Sequence, residues 1–185
     1  MRDLILLALP DEAPNLSKLY KNVCTVGVGK VSSAINATWL ITLFKADRVI
    51  NLGTAGAITA GPGIHRIKSV VQHDVDLRPL GLEPGVQLND PLSWIELGGE
   101  GLSCASGDIF VTEPHKLRVR CDIVEMEAYS IARAAKTAGI AVEIWKYITD
   151  SADAESSKSW QEKVAEGEQH YLQVLTQLNA TLEPA

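Results

Sequence analysis

The stretch Asp122-Ile123-Val124-Glu125-Met126-Glu127-Ala128, followed by an apolar helical run and then by Ile148-Thr149-Asp150-Ser151-Ala152-Asp153, decides how this chain is read. Two acidic residues sit where a short strand gives way to a helix, and Asp150 closes a second, apolar strand. In α/β folds the ends of strands and the starts of helices share one rim, and ligands bind there. Carboxylates on such a rim can grip a sugar diol and donate a proton to a leaving group.

Outward from that stretch, strand-like and helix-like segments alternate. Strands are expected at Leu4–Leu9, Val23–Val28, Val49–Leu52, Leu102–Ala105, Ile123–Glu125 and Val142–Ile148. A longer extended segment is expected over Ile67–Leu77. Apolar residues at helical spacing predict helices over Lys30–Lys45 and Met126–Ala138, the second ended by Gly139. A closing amphipathic helix is expected over Ser157–Leu182, a short polar helix or turn around Asp11–Tyr20, and a Pro- and Gly-rich loop over Pro79–Gly101. Val49–Leu52 is expected to enter a Gly53-Thr54-Ala55-Gly56 turn. The alternation implies one α/β domain over residues 1–185, with a mixed, mostly parallel central sheet flanked by helices.

Composition narrows the function classes. The chain has 185 residues, 46% of them hydrophobic and 22% charged, with a formal net charge of −6. That is an ordinary globular composition, and its acidity argues against a general nucleic-acid binder. No stretch approaches the length of a membrane span. The apolar start, Asp3 to Pro10, reads as a buried first strand and not as a signal peptide. Cys24, Cys104 and Cys121 are an odd, unpaired set, which suits reduced thiols in a cytoplasmic protein.

Some local motifs are decided by what they lack. Gly27-Val28-Gly29-Lys30 follows a strand and opens a helix, but Cys24 and Val31 stand where a phosphate-binding P-loop needs glycine and a hydroxyl residue. Ser32 stands where a dinucleotide fingerprint needs its third glycine, and Asp47 precedes a strand where it should end one. A tight turn between strand and helix also accounts for these glycines. His73-Asp74-Val75-Asp76 resembles a metal cluster on paper, yet alternate residues of a strand face opposite sides. A polar strand end at an edge or subunit contact fits it better. Asp150 and Asp153 also suit a plain helix cap, Glu125 and Glu127 suit the positive end of a helix dipole, and Trp145 and Trp160 suit core or interface positions.

Six blocks in order resemble the purine nucleoside phosphorylase and nucleosidase superfamily, most closely the 5′-methylthioadenosine/S-adenosylhomocysteine nucleosidases. They are Val26–Val31, Ile50–Gly56, His73–Asp76, Ala105–Val111, Val124–Ala128 and Ile148–Asp153. The resemblance implies hydrolysis of the N-glycosidic bond of a purine nucleoside, with no metal or organic cofactor. It implies that Asp150 is the general acid at N7 of the base, holding a proton through partial burial. Glu12 would direct the attacking water, with Thr54 beside it where the family usually has serine. Glu127 would take the ribose hydroxyls, Met126 would pack on the sugar, Phe110 would stack on the base and the Val111 backbone would read its edge. Glu125, Lys146 and Thr149 complete the implied substrate-site set.

Where phosphorylases bring an arginine to phosphate this chain has Asn51, which favours water as the nucleophile. Two alternatives stay open: a phosphate-dependent phosphorylase, and a nucleoside-binding homologue without catalysis. The chain departs from the family pattern in three places. The segment between Glu12 and Val23 is short, as is that between Phe110 and Val124, and Lys146 replaces an arginine, a change from a planar fork to a point charge. These departures bear on the pocket for the 5′-substituent. The family habit also implies a homodimer or larger homo-oligomer.

Overall fold

In the computed structural model, which describes Met1 to Ala185, the chain forms eight strands and five helices. The strands are β1 (Asp3–Leu7), β2 (Val23–Thr25), β3 (Arg48–Ala57), β4 (Gly63–Gln72), β5 (Trp94–Glu96), β6 (Leu102–Ser106), β7 (Ile123–Glu125) and β8 (Ala141–Asp150). The helices are α1 (Leu16–Leu19), α2 (Lys30–Phe44), α3 (Ala128–Thr137), α4 (Ser156–Lys163) and α5 (Glu168–Gln177).

All five residues of β1 are buried, as a strand covered on both faces requires. It pairs in parallel with β2 and β3. The long strand β3 runs parallel to β8 along its whole length, then bends at Ala55 and Gly56 and pairs antiparallel with β7. From β8 the ladder passes to β4, β6 and β7, and so back to β3. The sheet is thus mixed, with five of its eight pairings parallel, and the ring β3-β8-β4-β6-β7 closes like a barrel. β1 and β2 extend it on one side and β5 on the other.

Helices cover two faces. Ala37, Leu40 and Ile41 of α2 and Ile131, Ala132 and Ala135 of α3 pack with Leu4, Leu6, Val49 and Ile144 in the larger core. Tyr171, Val174 and Leu175 of α5 pack with Ile5, Leu7, Ile50 and Leu52 on the opposite face. Trp145 packs against this second core. Gly139 follows α3 with φ +71°, the left-handed conformation expected of a helix-ending glycine.

Four expectations are corrected. Gly53-Thr54-Ala55-Gly56 is not a turn but the distal half of β3. Its glycines serve close approach: a Cβ on Gly53 would lie 3.0 Å from Glu12 Oε1, and one on Gly56 would lie 2.7 Å from Asp150 Oδ1. β4 ends at Gln72, so His73, Asp74 and Asp76 lie beyond it; Asp74 pairs with Lys30 and Asp76 with Arg78. The loop over Pro79–Gly101 contains a strand, β5, whose Ile95 is buried beside the larger core. The closing helix is two helices broken before Gly167, where a Cβ would meet the Tyr171 hydroxyl at 2.5 Å. The break lets Glu168 turn back and accept hydrogen bonds from the Asn15 and Leu16 amides, both at 2.7 Å.

Substitution at two glycines separates these roles. Gly56→Ala is expected to cost about 1–3 kcal/mol through overpacking. Gly61→Ala, where an added Cβ meets nothing within 4 Å, is expected to change stability by well under about 1 kcal/mol. Urea unfolding of the two variants checks both values.

Candidate active site

Four carboxylates converge where β1, β3, β7 and β8 end. Together with apolar side chains they line a cavity of about 320 Å³. Each is placed by a different local device.

Glu12 ends a short 3-10 turn that Pro10 opens just after β1. Its side chain folds back so that Oε2 accepts from the amides of Ala8 (2.9 Å) and Leu9 (3.1 Å). Oε1 accepts from the Thr54 amide (2.8 Å) and the Thr54 hydroxyl (3.0 Å). Four donors fill the acceptor positions of one carboxylate. Three of them are fixed backbone amides; only the Thr54 hydroxyl can rotate.

Glu125 and Glu127 flank the start of α3. Glu125 turns inward and accepts from the amides of Glu127 (2.9 Å) and Ala128 (2.8 Å), from the Ser106 hydroxyl, and from Lys146 Nζ at 3.0 Å. It therefore caps the first turn of α3 with negative charge, where the helix dipole favours it. Burial works to raise its pKa, but Lys146 and these hydrogen bonds prevail and hold it below the usual range. Glu127, 6% exposed, accepts from the Gly29 amide at 2.8 Å. Burial, and next the charge on Glu125, push its pKa up to about 8.

Lys146 is 2% exposed. Burial disfavours its charge, but Glu125, Glu127 and Glu12 outweigh that and raise its pKa. Asp150, half-buried at the end of β8, accepts from the Thr149 hydroxyl (2.8 Å) and the Ala152 amide (2.9 Å). Each oxygen has one partner, which leaves acceptor or protonation sites for a ligand.

The opposite wall is the segment after β6. Asp108 accepts from the Lys30 amide (2.7 Å), and its own amide donates to Asp74 (2.9 Å). Lys30 Nζ closes the clasp on Asp74 at 2.5 Å. This seats Ile109, Phe110 and Val111 at the cavity, with Phe110 43% exposed.

Among the residues expected from sequence, Glu12, Thr54, Phe110, Val111, Met126, Glu127 and Asp150 all line the cavity. Three expectations change. Lys146 and Thr149 are not among the lining residues, because Lys146 is drawn to Glu125 and the Thr149 hydroxyl to Asp150. Glu125 reaches the wall, but its carboxylate is spent on α3 and Lys146. Ser157, Trp160 and Gln161 of α4 also line the cavity, and sequence reading placed Trp160 in a core or interface. The available signal was the polar turn before α4, in which the Asp153 amide donates to the Ser156 hydroxyl at 2.7 Å. An Asp-x-x-Ser pair so soon after Asp150 starts a helix whose first turns face the site.

Residues 21–92 match the family described as the phosphorylase superfamily. Over 162 aligned residues the chain is 31% identical to the 5′-methylthioadenosine/S-adenosylhomocysteine nucleosidase of Haemophilus influenzae (strain PittEE), covering 74% of this chain and 70% of that one. The structure of Streptococcus pneumoniae MTA/SAH nucleosidase in complex with 8-aminoadenine superposes with a TM-score of 0.81 at 25% identity, over 95% of this chain and 97% of that one. A futalosine hydrolase mutant of Helicobacter pylori strain 26695 shares the fold, with a TM-score of 0.81 at 23% identity over 91% of this chain and 94% of that one.

The buried charges make two predictions. Lys146→Met strands Glu125 and is expected to cost about 3–5 kcal/mol; Lys146→Met combined with Glu125→Gln removes both charges and is expected to recover a substantial part of it. Urea unfolding of the two variants reads the difference. Glu127 should make stability fall as pH rises. Between its ordinary value of 4.5 and about 8, the folded state holds a proton that the unfolded state has released. Its contribution is fully present below the lower value and lost through the upper one. Glu127→Gln should remove that part of the slope in unfolding curves taken from pH 5 to pH 9.

Proposed function

Because this chain belongs to the 5′-methylthioadenosine/S-adenosylhomocysteine nucleosidase family, we propose that it hydrolyses the N-glycosidic bond of an adenosine-type nucleoside, with the four-carboxylate cavity as its active site. The observation that carries this reading is the sign of the charges. Every ionisable residue lining the cavity is acidic: Glu12, Glu125, Glu127 and Asp150. Lys30 is held by Asp74 and Gln72, and Lys146 by Glu125. At the start of α2, where free amides offer an anion site, those of Gly29 and Lys30 are taken by Glu127 and Asp108. A phosphate dianion needs fixed cationic or amide donors, and both lysines and the Gly29 and Lys30 amides are already engaged. Water carries no such requirement.

The steps follow from the placement. Asp150 gives a proton to N7 of the purine, so the base departs as a neutral leaving group. As the C1′–N9 bond lengthens, positive charge grows on the sugar ring, and the surrounding carboxylates favour that charge over the neutral ground state. Glu127 accepts hydrogen bonds from the ribose hydroxyls, with Met126 against the sugar. Phe110 stacks on the base, and the Val111 backbone meets its edge. Water attacks C1′ beside Glu12, displacing the rotatable Thr54 hydroxyl from Oε1, and Glu12 takes up the proton.

A second copy of the chain belongs to this reading. Val31, Ile35, Trp39 and Leu43 recur every four residues along α2, and each is more than half exposed. Exposed Val28, Ile109 and Phe110 lie nearby at the cavity mouth. An apolar stripe of this kind marks a protein contact, and we assign it to a homodimer. No helix is long and apolar enough to cross a membrane, and a cytoplasmic setting suits the three free cysteines.

Asp150→Asn is expected to lower turnover of 5′-methylthioadenosine by about 10²–10⁴-fold while the thermal melt stays cooperative; near-normal turnover would contradict the assignment of the acid. Comparing S-adenosylhomocysteine and futalosine under the same conditions identifies the preferred 5′-group. Ile35→Asp with Trp39→Asp is expected to turn a dimeric mass into a monomeric one by light scattering.

A further inference from the structure

Trp160 reaches the machinery through one specific contact. Its indole Nε1 donates to Thr54 Oγ1 at 3.0 Å, and the same oxygen carries the proton that Glu12 Oε1 accepts, also at 3.0 Å. A hydroxyl has one proton to give and two lone pairs to accept with. When the indole N–H occupies the acceptor side, the remaining orientation of the Thr54 proton is toward Glu12. Thr54 is 9% exposed and Glu12 is 4% exposed, so few competing partners can reorient the hydroxyl. The chain Trp160–Thr54–Glu12 therefore ties α4 to the one carboxylate donor that is free to rotate.

The same helix starts six residues after Asp150, behind a turn in which the Asp153 amide donates to the Ser156 hydroxyl. Seating α4 on the cavity fixes both ends of the reaction: the turn that carries the acid and the hydroxyl that sets the water-directing carboxylate. Nothing else on α4 does this, since Ser157 and Gln161 line the wall without a hydrogen bond to Glu12 or Thr54.

We propose that Trp160 is a positioning residue that acts beside Glu12 through Thr54, aiming the hydroxyl at the place the attacking water takes on Oε1. The displaced hydroxyl then donates to that water and holds it at Glu12. This rests on the nucleosidase reading above. A role as plain apolar wall makes a different prediction, because phenylalanine preserves the wall and loses only the N–H donor.

The test is steady-state base release from 5′-methylthioadenosine by the wild type, Trp160→Phe, Thr54→Val and the double variant. The relay predicts that Trp160→Phe lowers kcat about tenfold with KM within twofold of wild type. It also predicts that adding Trp160→Phe to Thr54→Val costs no more than Thr54→Val alone. Unchanged kcat in Trp160→Phe, whether KM rises or not, overturns the relay, as do losses that multiply in the double variant. A circular dichroism melt of each variant shows that the comparison is made between folded proteins. A wild-type chain that releases no base overturns the nucleosidase reading and the relay with it; an active wild type with a fully active Trp160→Phe overturns the relay alone.

Discussion

Lys146 is the charge on which the site depends. It lies almost fully buried on β8, in the field of Glu125, Glu127 and Glu12, and binds Glu125 directly. A buried cation is costly unless paired, and breaking such a pair costs more than the pair contributes. The chain has placed one lysine among several carboxylates that cannot all ionise cheaply in one low-dielectric space. The imbalance falls on Glu127, which is pushed up to about 8, while Glu125 stays charged and holds α3. The carboxylate proposed to receive the sugar hydroxyls is thus the one least stabilised before a ligand arrives.

The second organising fact is that the chain fills its own anion seats. Helix N-termini attract anions, and those of α2 and α3 stand beside this cavity. Glu127 and Asp108 take the first amides of α2, and Glu125 takes those of α3. The same contacts that position the site residues occupy the nearest amides a phosphate would use. An arrangement that stabilises positive charge on a sugar ring and repels an anionic nucleophile follows from one set of hydrogen bonds.

Much of this was legible in the sequence, and what was hidden has physical reasons. Alternating apolar segments gave the helices α2 and α3 and most strands, because those elements bury continuous apolar runs or one face. The order of the acidic blocks placed Glu127 and Asp150 on one rim, and the family resemblance added Glu12. The distal half of β3 was misread because Gly53 and Gly56 look like turn residues, while their small size serves the approach of Glu12 and Asp150. Strand β5 was hidden in a Pro- and Gly-rich stretch, since a three-residue edge strand carries too little periodicity. The closure of the sheet depends on the bend at Ala55–Gly56, a long-range event with no local signature. Lys146 reads as a substrate-site lysine in one dimension, and only the fold shows that Glu125 claims it. Trp160 looked like a core aromatic because its role depends on one indole N–H meeting Thr54.

The most direct test of the central claim is the phosphate dependence of base release from 5′-methylthioadenosine, followed with identification of the sugar product. An all-acidic cavity with the Gly29 and Lys30 amides occupied and both lysines paired predicts equal rates with and without phosphate, and a free reducing sugar as the product. A rate that requires phosphate and yields the sugar 1-phosphate would contradict it.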